Sequence, residues 1–164
     1  MDSRREFLKL VSGAAGAMVI TVSKTALGAD MVQRRDDSVT NTADPTFFIR
    51  IHRDNTVEII AKHLEMGQGV LTGIATIVAE ELGASWSQMR YSFAPADTEI
   101  YKNLRNGLQG TGGSQSISEC WEQMRTAGAA ARQMLITAAA TDWQVAETEV
   151  VTNEGVLSHR SSGR

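Results

Sequence analysis

Residues 65–89 read EMGQGVLTGIATIVAEELGASWSQM and carry the strongest folding signal in the 164-residue chain. Their apolar side chains recur at the three- and four-residue spacing of a helix that buries one face. These side chains are Leu71, Ile74, Ala75, Val78 and Leu82. Gly83 stands where the end of a helix commonly adopts a left-handed conformation. The segment predicts a helix from about Leu71 to Leu82, preceded by a glycine-containing loop and followed by a strand over residues 89–94.

Two hairpins are predicted at the ends of the globular part. Residues 46–52 and 56–61 alternate apolar and polar side chains on either side of a turn at Asp54 and Asn55. Residues 149–159 repeat the pattern around a turn at 153–155. Period-two alternation interrupted by turn residues is typical of paired antiparallel strands.

A long helix is predicted between the second glycine-rich region and the second hairpin. Residues 95–113 are rich in Asn, Gly, Asp and Gln and predict a long loop, and an apolar stripe then runs to about Thr141. Ser116 and Glu119 fit a capping-box pattern at the start of this helix. Small residues at 127–131 would let another element approach closely. The predicted fold class is α+β, a β-hairpin and short strands packed with one medium and one long helix.

The N-terminal residues predict an export signal. Ser3-Arg4-Arg5-Glu6-Phe7-Leu8-Lys9 matches the twin-arginine pattern, and the weakly apolar run that follows is too short to span a membrane. We expect a signal over residues 1–29, a flexible tether over 30–45 and a globular part over 46–164. The expected location is the periplasm, reached in a folded state by the twin-arginine pathway.

Charge and cysteine content exclude some classes of function. Removal of residues 1–29 would leave 12 basic and 17 acidic residues and move the net charge from −3 to −5. An acidic protein is a poor candidate for binding nucleic acid. Cys120 is the only cysteine, so this chain alone can form neither a disulfide nor a cysteine-ligated iron–sulfur cluster.

Two glycine-containing loops, residues 65–69 and 110–116, precede predicted helices. Unpaired N–H groups at a helix N-terminus attract anions, and glycine lets a ligand approach the backbone. The hydroxyls of Thr111, Ser114 and Ser116 add donors, and Gln68 supplies an uncharged carboxamide. Spacing alone leaves open whether these loops are phosphate sites or simply tight strand-to-helix turns.

Three strings in the chain give a specific resemblance. EMGQGVLTGIATIVAEELGASWSQM, GTGGSQSI (residues 110–117) and AGAAARQMLITAAATDW (residues 127–143) resemble the molybdopterin-binding subunit of the xanthine oxidase family of molybdenum hydroxylases. The similarity is in order from about Phe47 to Arg160. It is strongest to the branch of isoquinoline 1-oxidoreductase beta subunits and periplasmic aldehyde dehydrogenases.

The resemblance implies a cofactor, a reaction and a set of contacts. The cofactor is molybdopterin cytosine dinucleotide carrying molybdenum, and the reaction is oxidation of an aldehyde or N-heterocycle with water as the oxygen source. The implied cofactor-binding residues lie in the two loops. They are Gly67, Gln68, Gly69, Thr111, Gly112, Gly113, Ser114, Gln115 and Ser116. The domain would be the N-terminal part of a larger molybdopterin-binding domain.

The resemblance also implies partners, and it assigns no catalytic residue here. A separate [2Fe-2S] subunit, a second polypeptide carrying the rest of the large subunit and an acceptor such as a cytochrome c are expected. The family's catalytic glutamate is expected beyond Arg164, which would leave this chain inactive alone. Glu65 either orients its loop or is simply an exposed loop carboxylate. Its position in a loop favours the second interpretation.

The remaining candidate ligands predict no metal site. His52, His63 and His159 lack ligand spacing and are expected at the surface or in packing roles. Cys120 is expected in the core. The competing hypothesis for the whole chain is an exported, non-catalytic binding or structural module.

Overall fold

The computed structural model describes residues 45–164, and the predicted signal at 1–29 and nearly all of the tether at 30–45 lie outside them. The helices are α1 (Pro45–Phe48), α2 (Val70–Leu82), α3 (Thr98–Tyr101) and α4 (Ser116–Trp143). The strands are β1 (Ile49–Ile51), β2 (Val57–Ala61), β3 (Met89–Phe93), β4 (Val151–Asn153) and β5 (Val156–Ser158). Single 3₁₀ turns lie at Trp86–Gln88, Glu147–Glu149 and Arg160–Ser162.

The larger sheet has the strand order β1-β2-β3. β1 and β2 form the predicted antiparallel hairpin, with Ile49 opposite Ile59. β3 pairs with β2 in parallel, with Val57 opposite Met89. Parallel neighbours need a crossover connection, and α2 supplies it. The β2–α2–β3 unit therefore places the first glycine loop where β2 leaves the sheet.

The main core lies between this sheet, α2 and α4. It contains Phe48, Ile59, Val78 and Met124, and Cys120 is fully buried among these side chains as expected. The two long helices approach closely at Gly128, where a Cβ atom would lie 2.9 Å from the Cβ of Glu81 and 3.2 Å from the carbonyl oxygen of Val78. The run of small residues at 127–131 thus permits close helix packing, as predicted.

A smaller cluster holds the C-terminal hairpin. Ala139 and Ala140 of α4 pack with Val150 just before β4. The N–H of Gly155, in the turn between β4 and β5, donates to the carbonyl of Gly83 at the end of α2. This contact attaches the hairpin to the main body of the domain.

The α+β class, the medium helix and the long helix are confirmed. α2 begins one residue before the predicted start and ends at Leu82 as predicted, and Gly83 caps it in a left-handed conformation with φ 73°. The first hairpin was predicted to begin too early, because residues 45–48 form a helical turn. The long loop contains the short helix α3, whose N-terminal N–H groups donate to the Asp97 carboxylate.

The predicted capping box at the start of α4 is wrong. The N-cap residue of α4 is Gln115, and within residues 45–164 no side chain forms a capping hydrogen bond to the start of the helix. Glu119 instead accepts the N–H of Arg105 at 3.0 Å and forms an ion pair with its side chain. Residues 45–164 include no helix that is long and apolar enough to span a membrane.

Candidate functional site

The first glycine loop is organised by the carboxylate of Glu65. Its Oε1 accepts the N–H groups of Gly67 at 2.8 Å and Gly69 at 3.0 Å, and its Oε2 accepts that of Leu71 at 3.2 Å. The bonds from Gly69 and Leu71 contribute most to lowering the pKa of Glu65 below its ordinary value. Of the two readings of Glu65, the structure supports loop orientation over a free loop carboxylate.

Gln68 also bonds to its own loop. Its Nε2 donates to the carbonyl of Leu64 at 2.7 Å, and its Oε1 accepts the N–H of Met66 at 2.5 Å. Gly67 and Gly69 have φ values of 90° and 80°, which residues with a Cβ rarely adopt. A primary amide has two donor hydrogens and two lone pairs, so half of the bonding capacity of Gln68 remains for a ligand.

The structure brings the second glycine loop against the residues directly before the first loop. The N–H of Leu64 donates to Oγ1 of Thr111 at 2.8 Å. The carbonyl of Gly110 accepts from Nδ1 of His63 at 3.1 Å and from Nδ2 of Asn103 at 3.0 Å. Residues almost fifty positions apart in sequence are therefore joined by hydrogen bonds a few residues before α2 and α4 begin.

Two buried basic residues underlie this junction. Nζ of Lys62 donates to the carbonyl of Lys102 at 2.9 Å and to Oε1 of Gln123 at 2.8 Å, and burial lowers its pKa. Burial, followed by the charge of Lys62, lowers the pKa of His63 below 6.5. His63 is therefore neutral at pH 7. The sequence pattern predicts only surface or packing roles for the histidines. It does not predict the contact of His63 with the second loop, because a histidine in a loop gives no signal of burial.

The two helix N-termini differ in how their N–H groups are used. Glu65 already supplies an anionic acceptor at α2, whereas α4 begins after Gln115 without a side-chain cap from residues 45–164. A Cβ added at Gly110 or Gly112 would meet no other described atom within 4 Å. The backbone of the second loop is thus open to approach at these two glycines.

Residues 45–164 show neither a metal-binding cluster nor a reactive thiol. Residues 45–164 contain no group of three His, Cys, Asp or Glu side chains that could hold a metal ion. Burial raises the pKa of the Cys120 thiol to about 11, so this group is not a nucleophile at neutral pH. The two loops, rather than a metal cluster or a reactive thiol, are therefore the candidate site.

Comparison with known proteins gives two relatives. The chain is 34% identical over 163 residues to isoquinoline 1-oxidoreductase subunit beta of Brevundimonas diminuta, an alignment that covers 99% of this chain and 20% of that protein. It is 31% identical over 134 residues to the membrane-bound aldehyde dehydrogenase [pyrroloquinoline-quinone] of Gluconacetobacter polyoxogenes, covering 82% of this chain and 16% of that protein. The chain thus spans about a fifth of the length of the first relative and less of the second.

Residues 4–164 match the model of a protein family described as "Molybdopterin cofactor-binding domain". That match includes both glycine loops, and together with the two relatives it confirms the resemblance drawn from the three sequence strings. Since the match covers nearly the whole chain, the protein belongs to the family of molybdopterin cofactor-binding domains.

Proposed function

We propose that this chain forms part of the cofactor pocket of an exported molybdenum-dependent oxidoreductase. The observation that carries the proposal is the junction of the two glycine loops, where Leu64 donates to Thr111 and His63 donates to Gly110. Membership of the molybdopterin cofactor-binding family gives the ligand class. The contacts are proposed for Gly67, Gln68 and Gly69 and for residues 111–116.

The residues of the second loop fit a phosphate-bearing heterocyclic cofactor. Gly110 and Gly112 leave open space where side chains would otherwise stand, and the uncapped start of α4 offers N–H donors. Thr111 accepts from Leu64 through Oγ1 and retains its own hydroxyl hydrogen for donation. At the first loop the α2 donors are bonded to Glu65, so Gln68 and the glycine backbone are the proposed contacts there.

The proposed reaction is oxidation of an aldehyde or an N-heterocycle, substrate classes taken from the names of the two relatives. When bound, the cofactor supplies the redox chemistry, with water as the oxygen source. This chain's residues bind and orient it. The lowered pKa of Glu65 keeps this carboxylate ionised and bonded to three N–H groups, so we assign it no proton transfer. The whole reaction is proposed for the assembled protein, because the chain covers only 20% of the first relative.

The finer assignments are part of the same proposal. The cytosine dinucleotide form of the cofactor and periplasmic location follow from the family resemblance and from the SRREFLK segment. A [2Fe-2S] partner subunit is proposed from the same family resemblance, and the single cysteine of this chain cannot ligate a cluster by itself. The first relative is named as a subunit, which supports a multi-subunit assembly. An acceptor such as a cytochrome c would take the electrons.

The test is purification of the chain, with any co-purifying subunits, from a bacterial host that makes the molybdenum cofactor. Molybdenum is measured by mass spectrometry, and the pterin and any released nucleotide are identified after oxidative acid release. We expect molybdenum and pterin in equal amounts, with cytidine monophosphate as the nucleotide. Protein without molybdenum or pterin would overturn the proposal and favour the non-catalytic module.

Gly112→Leu is a second test, because a Cβ at this position would meet no atom within 4 Å outside its chain neighbours and the larger side chain would occupy the proposed binding surface. We expect cofactor content to fall at least about tenfold, since a blocked pocket cannot retain its ligand. Ala129→Leu is the matched control, because Ala129 is exposed on α4 far along the helix from the loop. Equal cofactor content in the two variants would exclude the second loop as a binding surface.

A further inference from the structure

The carbonyl of Gly110 is held by two buried side chains from different parts of the chain. His63 follows β2 and is 1% exposed, and Asn103 follows α3 and is 7% exposed. Their donor nitrogens lie 3.1 Å and 3.0 Å from the same oxygen. A carbonyl oxygen has two lone pairs, so both bonds can form together.

The protonation state of His63 follows from this geometry. A carbonyl group can only accept, so Nδ1 of His63 must carry the hydrogen. The ring is neutral, because it is buried beside Lys62, and Nε2 is then an acceptor. Among residues 45–164 this Nε2 has no hydrogen-bond partner. Burial of an unpaired polar atom costs stability, so packing alone would favour an apolar side chain at this position.

We propose that His63, together with Asn103, is a positioning residue that fixes the second glycine loop against the first. The proposal rests on the function proposed above, in which both loops contact one cofactor. The bond from Leu64 to Thr111 lies directly beside the bond from His63 to Gly110 in sequence. Loss of the His63 bond should therefore loosen the neighbouring contact. A pocket built from two loops would then lose its preformed geometry.

Three substitutions separate positioning from packing. His63→Leu fills a similar volume with an apolar side chain and removes the Nδ1 donor. His63→Asn places an amide nitrogen close to the position of Nδ1, so it should restore the donor. His159→Leu is the control, because His159 is also buried but bonds Ser162 near the C-terminus. If His63 had only a packing role, the Leu64 amide of His63→Leu should exchange no faster than that of His63→Asn.

The readout is hydrogen exchange of the Leu64 amide, followed by NMR on the full cofactor-free chain. This amide reports loop contact, because it donates to Thr111. We expect exchange about five- to tenfold faster in His63→Leu, consistent with loss of one hydrogen bond. Exchange should return to within about twofold of the parent chain in His63→Asn and stay unchanged in His159→Leu. Nitrogen shifts of His63 should show the hydrogen on Nδ1.

Parent-like exchange in His63→Leu, or no recovery in His63→Asn, would overturn the proposal. If His63→Leu does not fold, Asn103→Ala removes the second donor to Gly110, and unchanged Leu64 exchange in that variant would overturn it equally. Exchange is measured without cofactor, so this result is independent of the pterin analysis. Absence of molybdenum and pterin would contradict the proposed function, whereas unchanged exchange of the Leu64 amide in His63→Leu would contradict the positioning role.

Discussion

Gly128→Ala tests how closely α2 and α4 must pack, since both helices begin at the candidate site. The added Cβ would lie 2.9 Å from the Cβ of Glu81, 3.2 Å from the carbonyl oxygen of Val78 and 3.5 Å from the Cα of Val78. None of these atoms can move away by rotation of a side chain. The helices would have to separate to accept the methyl group.

The expected effect is the difference between two opposing contributions. Replacing glycine by alanine inside a helix stabilises the folded state by about 1 kcal/mol. Overpacking costs about 1–3 kcal/mol, and contact with backbone atoms places this site near the upper limit. The free energy of unfolding should therefore fall by about 2 kcal/mol. For a chain of this size the melting temperature should drop by about 4–8 °C.

The assay is urea and thermal unfolding followed by far-ultraviolet circular dichroism. Gly73→Ala is the matched control at the same interface, because its Cβ would lie 2.7 Å from Cδ1 of Ile117, the mobile tip of a side chain. Rotation of Ile117 should relieve that contact, and we expect a change within about 1 kcal/mol. A Gly128→Ala variant as stable as the parent chain would refute the reasoning.

Two further predictions concern ionisable groups. Because backbone N–H groups lower the pKa of Glu65, its contribution is present above the ordinary value of 4.5 and is lost as pH falls through the folded pKa. Glu65→Gln should therefore be less stable than the parent chain at neutral pH in urea unfolding, with the difference shrinking in acid. A pH-independent difference, or an equal effect of Glu80→Gln on the exposed side of α2, would contradict this. Burial raises the pKa of Cys120 to about 11, so alkylation at about pH 8 should be on the order of 100-fold slower in folded than in urea-unfolded protein. Similar rates would show that the thiol is accessible.

Local sequence patterns predicted most of the secondary structure. The stripe from Leu71 to Leu82 and Gly83 predicted α2 to within one residue, because helical spacing and a left-handed end are local properties. The capping box at Ser116 failed for a tertiary reason. Glu119 is drawn to Arg105 in the preceding loop, and a motif of four residues cannot reveal that competitor.

The candidate loops were predicted from sequence, but their internal bonding was not. The glycines and hydroxyls of 65–69 and 110–116 marked both loops as ligand-binding candidates. The spacing of these residues did not show that Glu65 bonds the α2 N–H groups or that Gln68 folds back onto Leu64. Both arrangements depend on the path of the backbone through a loop with two positive φ values.

The sequence by itself determined the two long helices, the hairpins, the acidic charge and the family, because each depends on local spacing, on composition or on matched strings of residues. Only the tertiary structure decided that β2 and β3 run parallel and that the two glycine loops meet. His63 and Gly110 are 47 residues apart, and no local periodicity encodes a contact at that distance. It forms only in the folded chain, where the imidazole is buried and lies within hydrogen-bond distance of the Gly110 carbonyl.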